Sequence, residues 1–226
     1  MSLYCKEKSR GTSLFEMMIV IAISSIILVS IGNLIRVGVD YYFYSTAQIE
    51  VQRNALLSLS IMTQELTGST YESVYTENSA PPTLDPNDGL LFASAVNEDG
   101  VDTDVAPGHQ GYPGDTVRDS GGNLLWINMI CYYIGEVDGK KALLRTRERL
   151  AGPPFSTNPP DPVALGLNDI AHFKAIASPV RFMARGITKM KTVEKTDALE
   201  ITLTAEVKEG RNWLEMDVST TIVPRN

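Results

Sequence analysis

The hydrophobic pattern of this chain begins with a long apolar run close to the N-terminus. The run extends from Met17 to Ile35 and contains 19 residues without a charge. As a helix it would be ~28 Å long, which is close to the hydrocarbon thickness of a bilayer. We therefore expect a transmembrane helix over residues 14–35, with Glu16 in its first turn.

The helical pattern continues beyond the apolar run. No proline occurs before Pro81, and apolar residues recur at steps of four, three and four. The sequence predicts one helix from Ser13 to Thr67, ~80 Å long, with a stop at Gly68. Its weak helix formers mark where it would bend or unwind locally; they are Gly32, Asn33 and Gly38. The apolar stripe that a folded domain would cover consists of Ala55, Leu59, Met62 and Leu66.

Two hairpins are predicted in the rest of the chain. Alternating apolar and polar residues over Leu199–Lys208 and Leu214–Val223 indicate two strands around a short turn. The apolar segment Leu124–Ile134 is expected to be a central strand, with Lys141–Arg149 as its returning partner. Between them lies Asp138-Gly139, a dipeptide typical of tight hairpin turns.

The remaining segments complete the predicted fold. Further strands are expected over Leu90–Val96 and Val180–Met190, and Val163–Ser178 fits a short strand or a short helix. Loops rich in Gly, Pro, Asp, Asn and Ser are predicted over Ser69–Asp88, Asn97–Asn123 and Ala151–Pro162. A long helix followed by antiparallel strands predicts an α+β fold in which the helix covers one face of a sheet, with residues 68–226 as the β-rich globular domain.

Charge limits the partners and orients the chain. The net charge is −7, which argues against a nucleic-acid partner because phosphate binding needs a basic face. Basic residues precede the apolar run and favour a cytoplasmic N-terminus, with everything after Ile35 outside the cytoplasm. These basic residues are Lys6, Lys8 and Arg10.

Few residues indicate catalytic chemistry. Cys131 lies in a very apolar stretch and is expected to be a buried structural thiol rather than a reactive one. The histidines, His109 and His172, belong to no zinc motif, and no nucleophile elbow surrounds a serine. A glycine-rich phosphate loop is absent from the sequence. We therefore expect no enzyme activity and no resident cofactor.

The predicted loop Asn97–Asn123 contains acidic residues that alternate around a glycine. Calcium takes about six to eight oxygen ligands, and this spacing is one way to supply them. Because the full EF-hand spacing is absent, solvated loop acids are the favoured interpretation. The candidate calcium ligands are Asn97, Asp99, Asp102 and Asp104.

A leader-like motif precedes the apolar run. Its basic stretch ends at Gly11, and Glu16 is the fifth residue after that glycine. A secretory signal places small residues after its apolar core, whereas here the small residue comes first. A carboxylate is also costly at the edge of a membrane helix. Gly11 and Glu16 together resemble the class III leader of type IV prepilins and pseudopilins.

This resemblance implies processing of residues 1–11. A prepilin peptidase would cleave between Gly11 and Thr12 and methylate the new amino group of Thr12. Loss of three basic and one acidic side chain would change the net charge from −7 to −9. The family more often has Phe at the position of Thr12, so the sequence departs from the pattern there. In an assembled filament, the Glu16 carboxylate is implied to meet the N-terminal amine of an adjacent subunit.

Within the family, the chain is most similar to the J-type pseudopilin of type II secretion and the W-type minor pilin. The similarity lies in the helix end Ala55–Leu66 and in the hairpin Trp126–Glu148. It implies a minor subunit of the bacterial inner membrane that helps to initiate or cap a filament. The implied partners are a prepilin peptidase, other minor pilins or pseudopilins and an inner-membrane assembly platform. The alternative is a single-span membrane anchor that presents an adhesive or ligand-binding module.

Overall fold

The architecture is one long helix followed by two antiparallel sheets, which confirms the α+β fold class. The computed structural model describes residues 13–76, 89–96, 116–119, 121–150, 157–167, 169–175, 180–196, 198–209 and 212–224. The helices are α1, Leu14–Thr67, and α2, Ile170–Ala175. The strands are β1, Tyr75–Thr76; β2, Leu90–Ser94; β3, Asn128–Val137; β4, Lys140–Arg149; β5, Arg181–Arg185; β6, Ile187–Lys195; β7, Ala198–Glu209; and β8, Asn212–Ile222.

Helix α1 is continuous, and its bounds confirm the predicted helix from Ser13 to Thr67. Helical structure extends through all three weak helix formers, so the local unwinding expected there does not occur. At the C-terminal end, the Gly68 N–H donates to the Glu65 carbonyl at 3.1 Å. This short-range bond tightens the last turn and satisfies a carbonyl that would otherwise lack an intrahelical partner.

The chain divides into two units, residues 1–47 and residues 48–226. In its described part, the first unit consists of the α1 residues up to Ala47. The second unit contains the rest of α1, both sheets and α2.

The strands of the second unit form two sheets rather than the single sheet that the sequence pattern predicts. One sheet has five strands in the order β1-β2-β3-β4-β5, and the other has three strands in the order β6-β7-β8. All pairings between the described strands are antiparallel. The hairpin β3-β4 lies within the larger sheet and the hairpin β7-β8 within the smaller one, so both predicted hairpins are confirmed.

Gly186 separates the two sheets. The prediction of one strand over Val180–Met190 is wrong, because the segment contains β5 and the start of β6, which belong to different sheets. Gly186 has a φ of +74°, a conformation that costs glycine little. Its N–H donates to the Lys141 carbonyl of β4 at 3.2 Å, and its own carbonyl accepts the Glu206 N–H of β7 at 2.8 Å. Its backbone therefore joins both sheets.

Other predicted segments keep their type but change their bounds. The central strand begins at Asn128 instead of Leu124 and continues to Val137. The turn that follows has positive φ at Asp138 (53°) and Gly139 (71°), as expected for a tight hairpin. The segment that fitted a strand or a helix contains the short helix α2.

The second half of α1 supplies the centre of the main core. The predicted apolar stripe is confirmed as buried, with relative exposures of 0–4%. It packs with Leu90 and Ile130 of the larger sheet and with Ile201 and Leu203 of the smaller sheet. The helix thus covers one face of both sheets. A second core, which includes Cys131 and the α2 residue Phe173, lies on the other face of the larger sheet.

We predict that Gly186→Ala destabilises the fold more than Gly139→Ala. Both glycines have positive φ, which costs a non-glycine residue about 1–2 kcal/mol. A Cβ at Gly139 meets open space, whereas a Cβ at Gly186 would lie 3.2 Å from the Glu206 carbonyl oxygen. We expect losses of about 1 kcal/mol for Gly139→Ala and about 2 kcal/mol or more for Gly186→Ala. Urea unfolding of the full chain in detergent measures both, and equal losses would contradict the proposed role of the close carbonyl.

Candidate functional site

The first turn of α1 is closed by a pair of reciprocal hydrogen bonds. The Ser13 Oγ accepts the Phe15 N–H at 3.2 Å, and the Glu16 carboxylate accepts the Ser13 N–H at 3.0 Å. This is a variant of the capping box, in which Ser13 is the N-cap and Glu16 the third helical residue, and the Ser13 hydroxyl accepts from the second helical residue instead of the third. The S-x-x-E signal is visible in the sequence, but it is not part of the leader motif through which Glu16 was identified.

Glu16 therefore has a local function at the start of the helix, which the resemblance does not imply. Among the described residues, the Ser13 N–H is the one polar group that contacts its carboxylate. The side chain is exposed. A carboxylate with one hydrogen bond in water remains able to accept further donors, because each oxygen has two lone pairs.

The half of α1 that follows Glu16 has an apolar surface on all sides. The large apolar side chains from Leu14 to Ile35 are 44–83% exposed. The helix is long and apolar enough to cross a membrane, with a mean hydropathy of 2.5 in its most apolar window. This confirms the length and composition expected of the segment. A surface of this kind packs against lipid or against other apolar helices.

Two serines within this half are satisfied by the helix itself. Ser25 Oγ donates to the Ile21 carbonyl at 2.8 Å, and Ser30 Oγ donates to the Ile26 carbonyl at 2.9 Å. Because these hydroxyls already have acceptors, their transfer to an apolar environment carries a reduced cost. Ser25 and Ser30 are therefore compatible with a membrane-spanning segment.

The other half of α1 is fixed to the larger sheet by a polar cluster. Glu65 Oε2 accepts the Tyr132 hydroxyl at 2.8 Å and the Arg145 Nε–H at 3.1 Å. The Arg145 side chain is 3% exposed and that of Glu65 is 22% exposed. Burial, followed by the neighbouring Glu65 charge, raises the pKa of Tyr132 above its usual range. The phenol therefore stays protonated and donates to the carboxylate.

Sequence reasoning did not find this cluster. Its members are separated by 67 and 80 residues along the chain, so no local spacing connects them. The one available signal is Arg145 itself. This charged residue directly follows the apolar residues Ala142–Leu144 of β4. A charged side chain in a buried strand needs an oppositely charged or hydrogen-bonding partner.

The predicted cleavage, methylation and calcium positions all lie outside the described residues. The cleavage and methylation positions, Gly11 and Thr12, lie outside the described residues. So do all four candidate calcium ligands, Asn97, Asp99, Asp102 and Asp104, and the calcium site stays a prediction. Within the described ranges, no group of three or more His, Cys, Asp or Glu side chains is placed to hold a metal ion.

Cys131 and His172 are now placed. Cys131 is fully buried, as predicted. His172 lies in α2, and its Nε2 is 2.8 Å from a Glu148 carboxylate oxygen of β4. Both side chains of this pair are partly exposed.

Comparison of the chain with protein-family models, with curated proteins and with solved structures finds no match.

We predict that Tyr132→Phe costs more stability than the neighbouring substitution Tyr133→Phe. The Tyr132 hydroxyl donates to a carboxylate at 2.8 Å, whereas the Tyr133 hydroxyl accepts from Thr146 Oγ1 at 3.4 Å. Loss of the bond to a charged group should cost about 2 kcal/mol, and loss of the long neutral bond should cost about 0.5 kcal/mol. Denaturant unfolding of the two variants tests this. Equal costs would show that the cluster does not anchor α1.

Proposed function

We propose that this protein is a minor pilin or pseudopilin, a structural subunit that helps to initiate or cap a type IV pilus-like or type II secretion filament. The observation that supports this most is the division of α1. Its first half is apolar and exposed on all sides, with Glu16 at its start, and its second half buries one apolar stripe in a folded unit. An anchor that also packs into the core of a filament needs such a helix.

In this proposal, Glu16 acts between subunits. A prepilin peptidase cleaves between Gly11 and Thr12, and the methylated amine of Thr12 in one subunit pairs with Glu16 of its neighbour. A single backbone hydrogen bond does not replace the hydration of a carboxylate that is buried among apolar helices. A cationic amine supplies the missing interaction.

The proposed location is the bacterial inner membrane. The N-terminus is cytoplasmic, and the folded unit is periplasmic or extracellular after assembly. The basic residues ahead of the apolar run support this orientation. The partners are other minor subunits and the inner-membrane assembly platform, and the role is structural rather than enzymatic.

We predict that the mature chain begins at Thr12 when a prepilin peptidase is co-expressed, and that it carries one added methyl group. The measurement is the intact mass and N-terminal sequence of the membrane-extracted protein, with and without the peptidase. Gly11→Val should prevent the shortening because it alters the residue before the cut, whereas Ser9→Ala should leave it unchanged.

A chain that still begins at Met1 beside an active peptidase would contradict the leader assignment. The better function would then be the membrane-anchored adhesive or ligand-binding module.

We predict that Glu16→Gln lowers incorporation into filaments by about tenfold or more while the folded unit keeps its stability. Glutamine can still close a capping box, so the substitution removes the charge but retains the local cap. The measurement is the amount of the variant in sheared filaments from cells that express the assembly platform and the other minor subunits.

Glu50→Gln is the matched control, since Glu50 is an exposed acid on the same helix. Its incorporation should equal that of the unmodified chain. If Glu16→Gln also assembles normally and only Glu16→Ala fails, the cap alone explains Glu16, and the intermolecular pair is excluded.

A further inference from the structure

Strand β8 is an edge strand of the smaller sheet, among the strands that the structure describes. It runs for 11 residues and pairs with β7 from Leu199↔Ile222 to Glu209↔Asn212 without a register shift. Among the described strands, none lies on its other side. A regular strand of this length presents a row of backbone N–H and C=O groups that accept another strand.

The other sheet edges carry features that oppose such pairing. Strand β6 has a register shift near Ile187 and three lysines along nine residues. Strand β1 has two residues, and β5 has five residues with an arginine at each end. Short length, irregular register and cationic side chains are the usual protections of an edge. In contrast, β8 contains no lysine, arginine or proline.

The core face of β8 is incompletely covered. Met216, Val218 and Thr220 are half-buried, although their partners across β7 are fully buried. A groove lies between this strand and α1, with Leu56 and Ser60 on its helix side. None of the residues that line the groove is charged. A strand added beside β8 would extend the apolar face over this groove.

The outer face of β8 is acidic. Glu215 and Asp217 are exposed on it, and Glu206 of β7 is directly opposite Glu215. The Lys189 ammonium donates to a Glu215 carboxylate oxygen at 2.6 Å, and this hydrogen bond is the largest cause of the raised pKa of Lys189. This face favours a partner with basic side chains and opposes a second copy, which would bring the same acids to the edge.

We propose that the β8 edge binds an extended segment of a different protein by antiparallel strand addition, with apolar side chains over the groove and basic side chains beside Glu215 and Asp217. Backbone hydrogen bonds supply the affinity, and the alternating side chains supply the specificity. This inference does not depend on the proposed filament function.

The test uses the full chain in detergent and a fluorescent peptide, Thr-Lys-Val-Lys-Val-Lys-Thr. We expect saturable binding by fluorescence anisotropy and slower hydrogen–deuterium exchange in β8 but not in β6. A peptide with glutamate in place of lysine should bind about tenfold more weakly or worse. A peptide with proline in place of valine keeps the charge but cannot form a strand, and it should also lose binding.

Two variants test whether the peptide binds at β8. Thr220→Lys puts an ammonium group into the groove and should weaken binding about tenfold. The matched control is Val193→Lys on β6, which should bind the peptide normally. If Thr220→Lys lowers the thermal midpoint, Ser60→Lys on the exposed helix side of the groove gives the same test without altering the sheet.

Three results with the peptide would overturn the proposal. They are absence of binding by the basic valine peptide, equal binding by the proline peptide, and unchanged exchange in β8 at saturation. Protection of β8 that grows with protein concentration in the absence of peptide would identify a second copy as the occupant instead, and it would likewise overturn the proposal.

Discussion

Burial of the α1 stripe is the interaction on which the folded unit depends. Ala55, Leu59, Met62 and Leu66 contact residues of both sheets within one core. Without this helical segment, the inner faces of both sheets would expose aliphatic side chains such as Leu90 and Leu203, each of which contributes about 1.5–3 kcal/mol when fully buried. The same segment of α1 therefore buries the inner faces of both sheets. The Glu65 cluster complements this non-directional burial, because hydrogen bonds fix the position of α1 against the larger sheet.

The features that the sequence predicted best are those encoded locally. The bounds of α1 follow from the spacing of apolar residues and from Gly68, and the two hairpins follow from alternation and from the Asp138-Gly139 turn. The division into two sheets was missed because it depends on the positive φ of Gly186, and a single glycine in an otherwise strand-like segment is also compatible with an unbroken strand. The partners of Glu65 were missed because they lie far away along the chain.

The site at the start of α1 was predictable only in part, because two sequence signals overlap at Glu16. Glu16 is identified by its distance from Gly11, yet the same residue also satisfies the capping-box spacing from Ser13. One short sequence thus carries two signals, and neither excludes the other. The cap acts within one chain, and the proposed ion pair acts between two chains. Before assembly, the cap gives the Glu16 carboxylate a hydrogen-bond partner in its own chain. The monomer can therefore fold with a carboxylate whose proposed function lies in the assembly.

The apolar half of α1 explains why one charge would matter so much there. Apolar contacts are non-directional, and lipid tails attract such a helix about as well as another helix does. Met17 to Ile35 offers no charge, and its hydroxyls at Ser25 and Ser30 are bonded to their own backbone. Such a surface fixes the depth of the helix in a membrane but not its position along a neighbour. A charge pair is strongly distance-dependent in an apolar environment. In the proposed filament, Glu16 therefore sets the register between neighbouring helices. The apolar residues supply the attraction between them.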